Sequence, residues 1–319
     1  MTLSAYEIRE RISQRNGRLP APKISFEFFP PKTEKAEAAL WRSVDRLESL
    51  APQFVSVTYG ADGSTRDRTH AIVEHLKTKT DLETMPHLTC VGAPREEIDQ
   101  IADDYWNMGV RRIMALRGDP VGGADQRYQP TEGGYAYAVD LVEGLARRHP
   151  FELAVAAYPE VHPEAPSSTF DLDNLKRKFD AGASMAITQY FFNTESYLRF
   201  RDRCVLAGIE QPIIPGILPV TNFATTERFS LACGTAVPTW MAQAFEGLDQ
   251  DPETRNLISA NIAIEQVLAL QSEGVEEFHF YTLNRADLCF AVSHALGVRP
   301  SVKENDDQSR IENEAQIVT

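Results

Sequence analysis

Short runs dense in β-branched and aromatic residues recur along the chain. They are ISFEFF from Ile24, FVSVTY from Phe54, MPHLTC from Met85, RIMALRGD from Arg112, ELAVAAY from Glu152, MAITQYF from Met185, IIPGILP from Ile213 and FHFYTLN from Phe278. Each has the length and composition of a buried strand. The segments between them carry helical spacing; Leu172, Leu175 and Phe179, for example, fall on one helix face. Four of these helices end with a glycine and an apolar residue before the next strand: Gly109-Val110, Gly182-Ala183, Gly208-Ile209 and Gly274-Val275. Glycine just past a helix end accommodates the left-handed turn that stops it.

Strand and helix alternating in units of roughly 30 residues imply parallel strands with right-handed crossovers. Eight such units predict an α/β fold, a single (β/α)8 TIM barrel spanning residues 1–300. Ser4 and Glu7 form a capping box that predicts an extra N-terminal helix. The stretch from Val220 to Glu277 is too long for one helix and predicts additional helices before strand eight. The polar, acidic residues 301–319 read as a disordered tail. An open doubly wound sheet would place a Gly-x-Gly-x-x-Gly turn after its first strand, where this chain has Phe29-Pro30-Pro31-Lys32.

Composition narrows the setting. A length of 319 residues suits one barrel. No apolar run approaches the length needed to cross a bilayer, and no basic segment followed by an apolar core opens the chain. Cys90, Cys204, Cys233 and Cys289 are scattered without close pairing, the pattern of free thiols in a reducing compartment, so a cytoplasmic location is expected. A formal charge of -14 argues against nucleic acid or an anionic membrane surface as partner.

Barrel active sites form at the C-terminal ends of the strands, and polar residues stand at nearly every such end: Glu27, Thr58, His87, Arg117 with Asp119, Tyr158 with His162, Gln189 and Arg285. Glu27 is the sharpest candidate. Strand alternation sets it opposite Phe26 and Phe28, so it is expected to point into the barrel. A buried carboxylate either pairs with a cation or has its pKa raised until it can act as a general acid. The structural alternative is an ion pair with Arg117 or Arg285.

Asp119 is expected on the same face as Arg117, and two rim carboxylates also permit a cofactor-free hydrolase or lyase using Glu27 and Asp119. His87 and His162 lack compact metal-ligand spacing, so hydrogen bonding is expected of them and no metal site. His70, His75, His149, His279 and His294 read as surface or packing residues. Lys176, Arg177 and Lys178 form a basic stretch on the helix after the YPEVHPEA loop. They are either a solvated face or a phosphate clamp.

The motifs SFEFFPP, VTYGA, PHLTC, ALRGD, AAYPEVHPEA, LKRKFDAGA, ITQYFF, PGILPV and FYTLNR together closely resemble the bacterial methylenetetrahydrofolate reductases, from about Ile24 to Pro300 and across every strand. The resemblance implies non-covalent FAD, with NADH or NADPH as co-substrate, and reduction of 5,10-methylenetetrahydrofolate to 5-methyltetrahydrofolate by a ping-pong hydride transfer that supplies methionine synthesis. It implies that Glu27 protonates the folate and that Asp119 stabilises the resulting iminium ion.

By the same resemblance Thr58, Tyr59, His87, Arg117, Gly118, Asp119, Tyr137, Ala138, Tyr158, His162, Ala165, Asp171, Asn174, Arg177 and Lys178 hold FAD. Asp119, Gln189, Phe229 and Arg285 meet substrate, Gln189 also serving the nicotinamide. Two positions depart from the pattern. Thr225 stands where relatives can carry a longer amide, and the loop from Pro120 to Gly134 is long and glycine-rich, which bears on Tyr137 and Ala138. The family type implies a homo-oligomer, and it implies neither an adenosylmethionine-binding regulatory domain nor feedback through one.

Overall fold

Phe26 and Phe28 are fully buried in the layer between the barrel wall and the helices, packed with Leu40, Val44 and Leu47, while Ser25 and Glu27 take the other face of the strand. Burying such a phenylalanine is worth about 1.5–3 kcal/mol, which is enough to fix the strand's facing and aim Glu27 inward. A computed structural model describes residues 19–59, 66–120 and 126–301. The N-terminal capping box, the acidic tail beyond Ser301 and part of the Pro120–Gly134 loop lie outside the described residues.

The described chain runs β1 (Lys23–Phe28), α1 (Glu34–Glu48), β2 (Val55–Val57), α2 (Arg66–Lys79), β3 (Thr84–Thr89), α3 (Arg95–Asn107), β4 (Arg112–Leu116), α4 (Ala138–Arg148), β5 (Glu152–Ala157), α5 (Ser168–Asp180), β6 (Met185–Thr188) and α6 (Thr194–Leu206). It continues through β7 (Ile213–Ile214), β8 (Gly216–Ile217), α7 (Phe223–Cys233), α8 (Thr239–Phe245), α9 (Pro252–Ser272), β9 (Glu277–Tyr281) and α10 (Ala286–Ala295). The three helices α7, α8 and α9 are the insertion expected before the last strand.

All strand pairs are parallel, in the order β7-β6-β5-β4-β3-β2-β1-β9-β8. The single strand read from IIPGILP is therefore two. Pro215 has no N–H to give the ladder, so the run breaks there: Ile213 pairs with Ala186 of β6, and Gly216 with His279 of β9. The two halves close the sheet into a barrel. Gly216 is required at the closure, because a Cβ there would collide with the Thr188 carbonyl and lie 2.6 Å from the Tyr281 ring.

Inside the barrel, Phe54, Met85, Met114, Ala154, Ile187 and Ile214 form a separate apolar plug. Above it the inward positions turn polar. Gly109, Gly182, Gly208 and Gly274 have φ of 89°, 121°, 75° and 90°, as the helix-stop reading expects. All four cysteines are free thiols. Among the described residues no helix is long and apolar enough to cross a membrane.

Candidate active site

Glu27 stands in register with Ser56 on one side and Tyr281 on the other. Its carboxylate Oε2 lies 3.4 Å from His87 Nε2 and 3.9 Å from His279 Nε2, and the side chain keeps 20% exposure. Neither arginine weighed as its partner is there. Arg117 instead donates from both Nη atoms to Glu164, at 2.7 and 2.6 Å, and stacks over Tyr128. Arg285 is exposed at the N-cap of α10. The Glu27 neighbour is thus an imidazole, and burial lowers the His87 pKa against the opposing pull of Glu27. His87 accordingly contributes a polar contact without a fixed positive charge.

His279, read as a surface or packing residue, packs against the Phe54 ring at 5.6 Å but also faces Glu27, which that reading did not include. It is 1% exposed, its Nδ1 lies 2.8 Å from Ser25 Oγ, and its Nε2 lies 3.4 Å from Ser56 Oγ. The signal was present in the alternation of FHFY: Phe278 and Phe280 pack outward, so His279 must face in beside Glu27. The other four histidines of that set pack as well. His75 stacks on Trp41, His70 on Tyr105, His149 on Trp106 and His294 on Phe290.

Beside Glu27, at the C-terminal ends of β2 to β5, opens a cavity of about 690 Å3. It is within the range of small-molecule sites. Every residue that the resemblance assigned to the flavin lines it, from Thr58, Tyr59 and His87 through Arg117, Gly118 and Asp119 to Asp171, Asn174, Arg177 and Lys178. Tyr137 and Ala138, which follow the glycine-rich loop, line it too. Asp140 accepts the Tyr137 N–H at 2.8 Å and so opens α4 at that point. A second cleft of about 470 Å3, lined by Arg201, Pro212 and Glu276, lies where β7 and β9 begin, at the opposite end of the barrel from these groups.

The electrostatics of the cavity are set by burial. Lys178 is buried and its Nζ donates to the Ala156 carbonyl at 2.7 Å; burial pulls its pKa down to about 8, with Asp171 pulling the other way. Burial, and then Arg117, hold the His162 imidazole below its ordinary value. The Asp171 carboxylate accepts the His162 N–H at 2.9 Å, which ties the start of α5 to the loop after β5. Glu164 is held below the usual carboxylate range by Arg117.

Thr89, which sequence reasoning passed over, also lines the cavity, and its buried hydroxyl has no partner among the described residues. An orphaned buried hydroxyl is rare and calls for a reason. Alternation from Met85 through His87 reaches Thr89 and would have found it.

Of the expected substrate residues, Asp119 lines this cavity, while Gln189, Phe229 and Arg285 sit apart from it. Gln189 follows β6, and its Oε1 accepts the Tyr190 N–H at 3.0 Å. A narrow crevice sets Gln189 beside Tyr158 and Cys233. Phe229 on α7 is 58% exposed. Thr225 lies in the first turn of α7, where its N–H is capped by Asn222 Oδ1 at 2.9 Å.

The family model for methylenetetrahydrofolate reductase matches residues 12–297. A 5,10-methylenetetrahydrofolate reductase of Pectobacterium carotovorum is 54% identical over 297 residues, covering 92% of this chain and 96% of its own. That of Escherichia coli K12 is 57% identical over 279 residues, covering 88% and 92%. Among solved structures, a Clostridium thermocellum protein described as binding two copies of 5-methyl-5,6,7,8-tetrahydrofolic acid superposes with a TM-score of 0.58 at 14% identity, over 91% of this chain and 98% of that one, and so shares the fold. With its barrel, its rim carboxylates and relatives matched over nearly their whole length, this chain belongs to the methylenetetrahydrofolate reductase family.

Proposed function

We propose that the chain is an FAD-dependent 5,10-methylenetetrahydrofolate reductase that uses NADH or NADPH in a ping-pong cycle. The observation that carries the reading is the joining, through the 3.4 Å Glu27–His87 contact, of an inward carboxylate to a cavity lined by all the expected flavin residues. The cavity suits FAD on its own chemistry. Its volume is adequate, Arg177 and Lys178 supply cations for a diphosphate, and the unpartnered Thr89 hydroxyl offers a hydrogen bond.

When bound, FAD supplies the hydride acceptor and donor that amino-acid side chains lack. The protein's own part is binding, orientation and proton delivery. Thr58, Tyr59, Tyr137, Ala138, Tyr158, Ala165, Asp171 and Asn174 shape the walls. Glu27 gives a proton to the folate amine and opens the five-membered ring to an iminium ion; Asp119, exposed at the cavity mouth, stabilises that cation. Gln189, Phe229 and Arg285 contact the folate, with Phe229 offering a stacking face to either substrate. In this reading residues 1–300 form one catalytic unit, working in the cytoplasm as a homo-oligomer.

Two half-reactions test the proposal. The purified protein should carry flavin absorption released on denaturation, bleached anaerobically by NADH or NADPH and restored by methylenetetrahydrofolate. A folded protein that stays colourless after incubation with excess FAD and removal of the unbound flavin overturns it. Glu27→Gln should keep nicotinamide oxidation within a few-fold and cut folate reduction by roughly 10²–10⁴. Equal losses in both halves remove Glu27 from the acid role.

A further inference from the structure

We propose that Glu160 is a positioning residue for the substrate side of this site. Its carboxylate clasps the C-terminal end of α7 and thereby sets where Phe229 stands over the rim. The inference rests on the proposed reductase activity.

Glu160 lies three residues beyond β5 and acts through neighbours rather than on substrate. Its Oε2 accepts the Ala236 N–H at 3.0 Å, in the connection from α7 to α8, and its Oε1 accepts the Ser196 hydroxyl at 3.3 Å, in the first turn of α6. One side chain therefore ties three segments that are far apart in sequence. The group is half-buried, and burial pushes its carboxyl above the ordinary value while both hydrogen bonds oppose the shift.

The backbone beside it is strained. Val161 has φ of 77°, a left-handed conformation that a β-branched residue enters only when its surroundings impose it. The surroundings here are the end of α7. Gly234, the helix's left-handed stop with φ of 72°, sits so close that a Cβ on it would lie 3.4 Å from the Val161 carbonyl and 3.2 Å from Pro163. The Thr235 hydroxyl donates to the Tyr190 carbonyl at 3.0 Å, and Ser230 Oγ lies 3.1 Å from the Tyr190 hydroxyl.

The last turn of α7 is thus docked onto the loop after β5 and onto Tyr190, which follows Gln189. The free face of the same helix carries Phe229. Glu160 also borders the crevice shared by Tyr158, which lines the flavin cavity, and Gln189. A displacement of the α7 end therefore reaches the stacking face for substrate while leaving the cavity walls in place.

The test is steady-state kinetics on the flavin-loaded enzyme. Glu160→Ala should raise KM for methylenetetrahydrofolate about tenfold, which is about 1.4 kcal/mol, with kcat changed less than threefold and flavin content unchanged. Glu160→Gln retains an oxygen that can accept the Ala236 N–H and should recover most of the loss, whereas Ser196→Ala should have little effect. If Glu160→Ala does not fold, Glu160→Asp replaces it; the shortened chain should raise KM and speed hydrogen exchange at the Ala236 amide. A wild-type KM in Glu160→Ala, equal falls in kcat and flavin content, or unchanged exchange in Glu160→Asp overturns the proposal. Failure of the wild-type enzyme itself to reduce folate counts against the reductase activity instead.

Discussion

The chemistry at single residues depends on how much water each one loses. Lys178 illustrates the point. Buried, with its Nζ on the Ala156 carbonyl, it is drawn down to a pKa of about 8 and is charged only below that value. A diphosphate needs the ammonium form, so FAD affinity for the apoprotein should weaken as pH rises through 8. The unliganded fold shows the opposite sign: with the folded pKa below the unfolded one, the unfolded chain holds more protons between the two, and stability rises with pH across that window. Lys178→Met should bind FAD more weakly at neutral pH and lose most of both pH dependences, read by fluorescence titration and by denaturation. An unchanged affinity profile would refute the role. His87 follows the same rule near neutrality, because its lowered pKa makes acidification cost stability as pH falls through its ordinary range.

Single residues also show how far the linear pattern reaches. Alternation places Glu27, His87, Thr89 and His279 inward once each strand is recognised, since a side chain's face follows from its position in the strand. The partner of Glu27 is a different matter. The arginines expected from charge are committed or exposed, and an imidazole from β3 takes the place. Charge alone ranks arginine first, and the register between β1, β2 and β3 decides otherwise.

At the scale of elements, the ends of β1 and β9 are joined by one amide. Asn284 Oδ1 accepts the Phe29 N–H at 3.0 Å and its Nδ2 donates to the Phe29 carbonyl at 2.8 Å, while Ser43 Oγ donates to the Asn284 carbonyl at 2.9 Å. Leu283 and Asn284 have φ of 50° and 55°, the left-handed region that asparagine tolerates better than most residues. This clasp sets Arg285 relative to the strand that bears Glu27. Asn284→Ala should cost about 1–3 kcal/mol through two lost hydrogen bonds and a less tolerant backbone. It should also raise folate KM more than nicotinamide KM. Denaturant unfolding and paired kinetics check both, and a shift in neither would show the clasp to be idle.

For the molecule as a whole, closure is the decisive event. The barrel shuts where Pro215 splits one strand in two and Gly216 lets the Thr188 carbonyl and Tyr281 approach; the Tyr281 hydroxyl then donates to that carbonyl at 2.8 Å. Gly216→Ala should destabilise the fold by about 1–3 kcal/mol, measurable as a lower denaturation midpoint with an unchanged slope. Wild-type stability would show that the closure can relax around a methyl group. The volume this shape encloses is filled at one end by the apolar plug around Phe54 and Met114 and left open at the other, where the candidate site lies.

The order of residues along the chain was enough to specify eight parallel strand positions, the helices between them, the helix insertion before β9 and the inward facing of Glu27. These follow from short-range periodicity and turn chemistry, which act within a few residues. The family was equally legible, because its motifs fall at successive strand ends. Folding in three dimensions settled what depends on contacts between distant segments: Pro215 dividing a strand, Arg117 engaging Glu164 rather than Glu27, His279 entering the carboxylate's surroundings, and Glu160 reaching from the β5 loop to Ala236. Pairing energies of this kind arise from distances between groups dozens to hundreds of positions apart, and no local pattern carries that information.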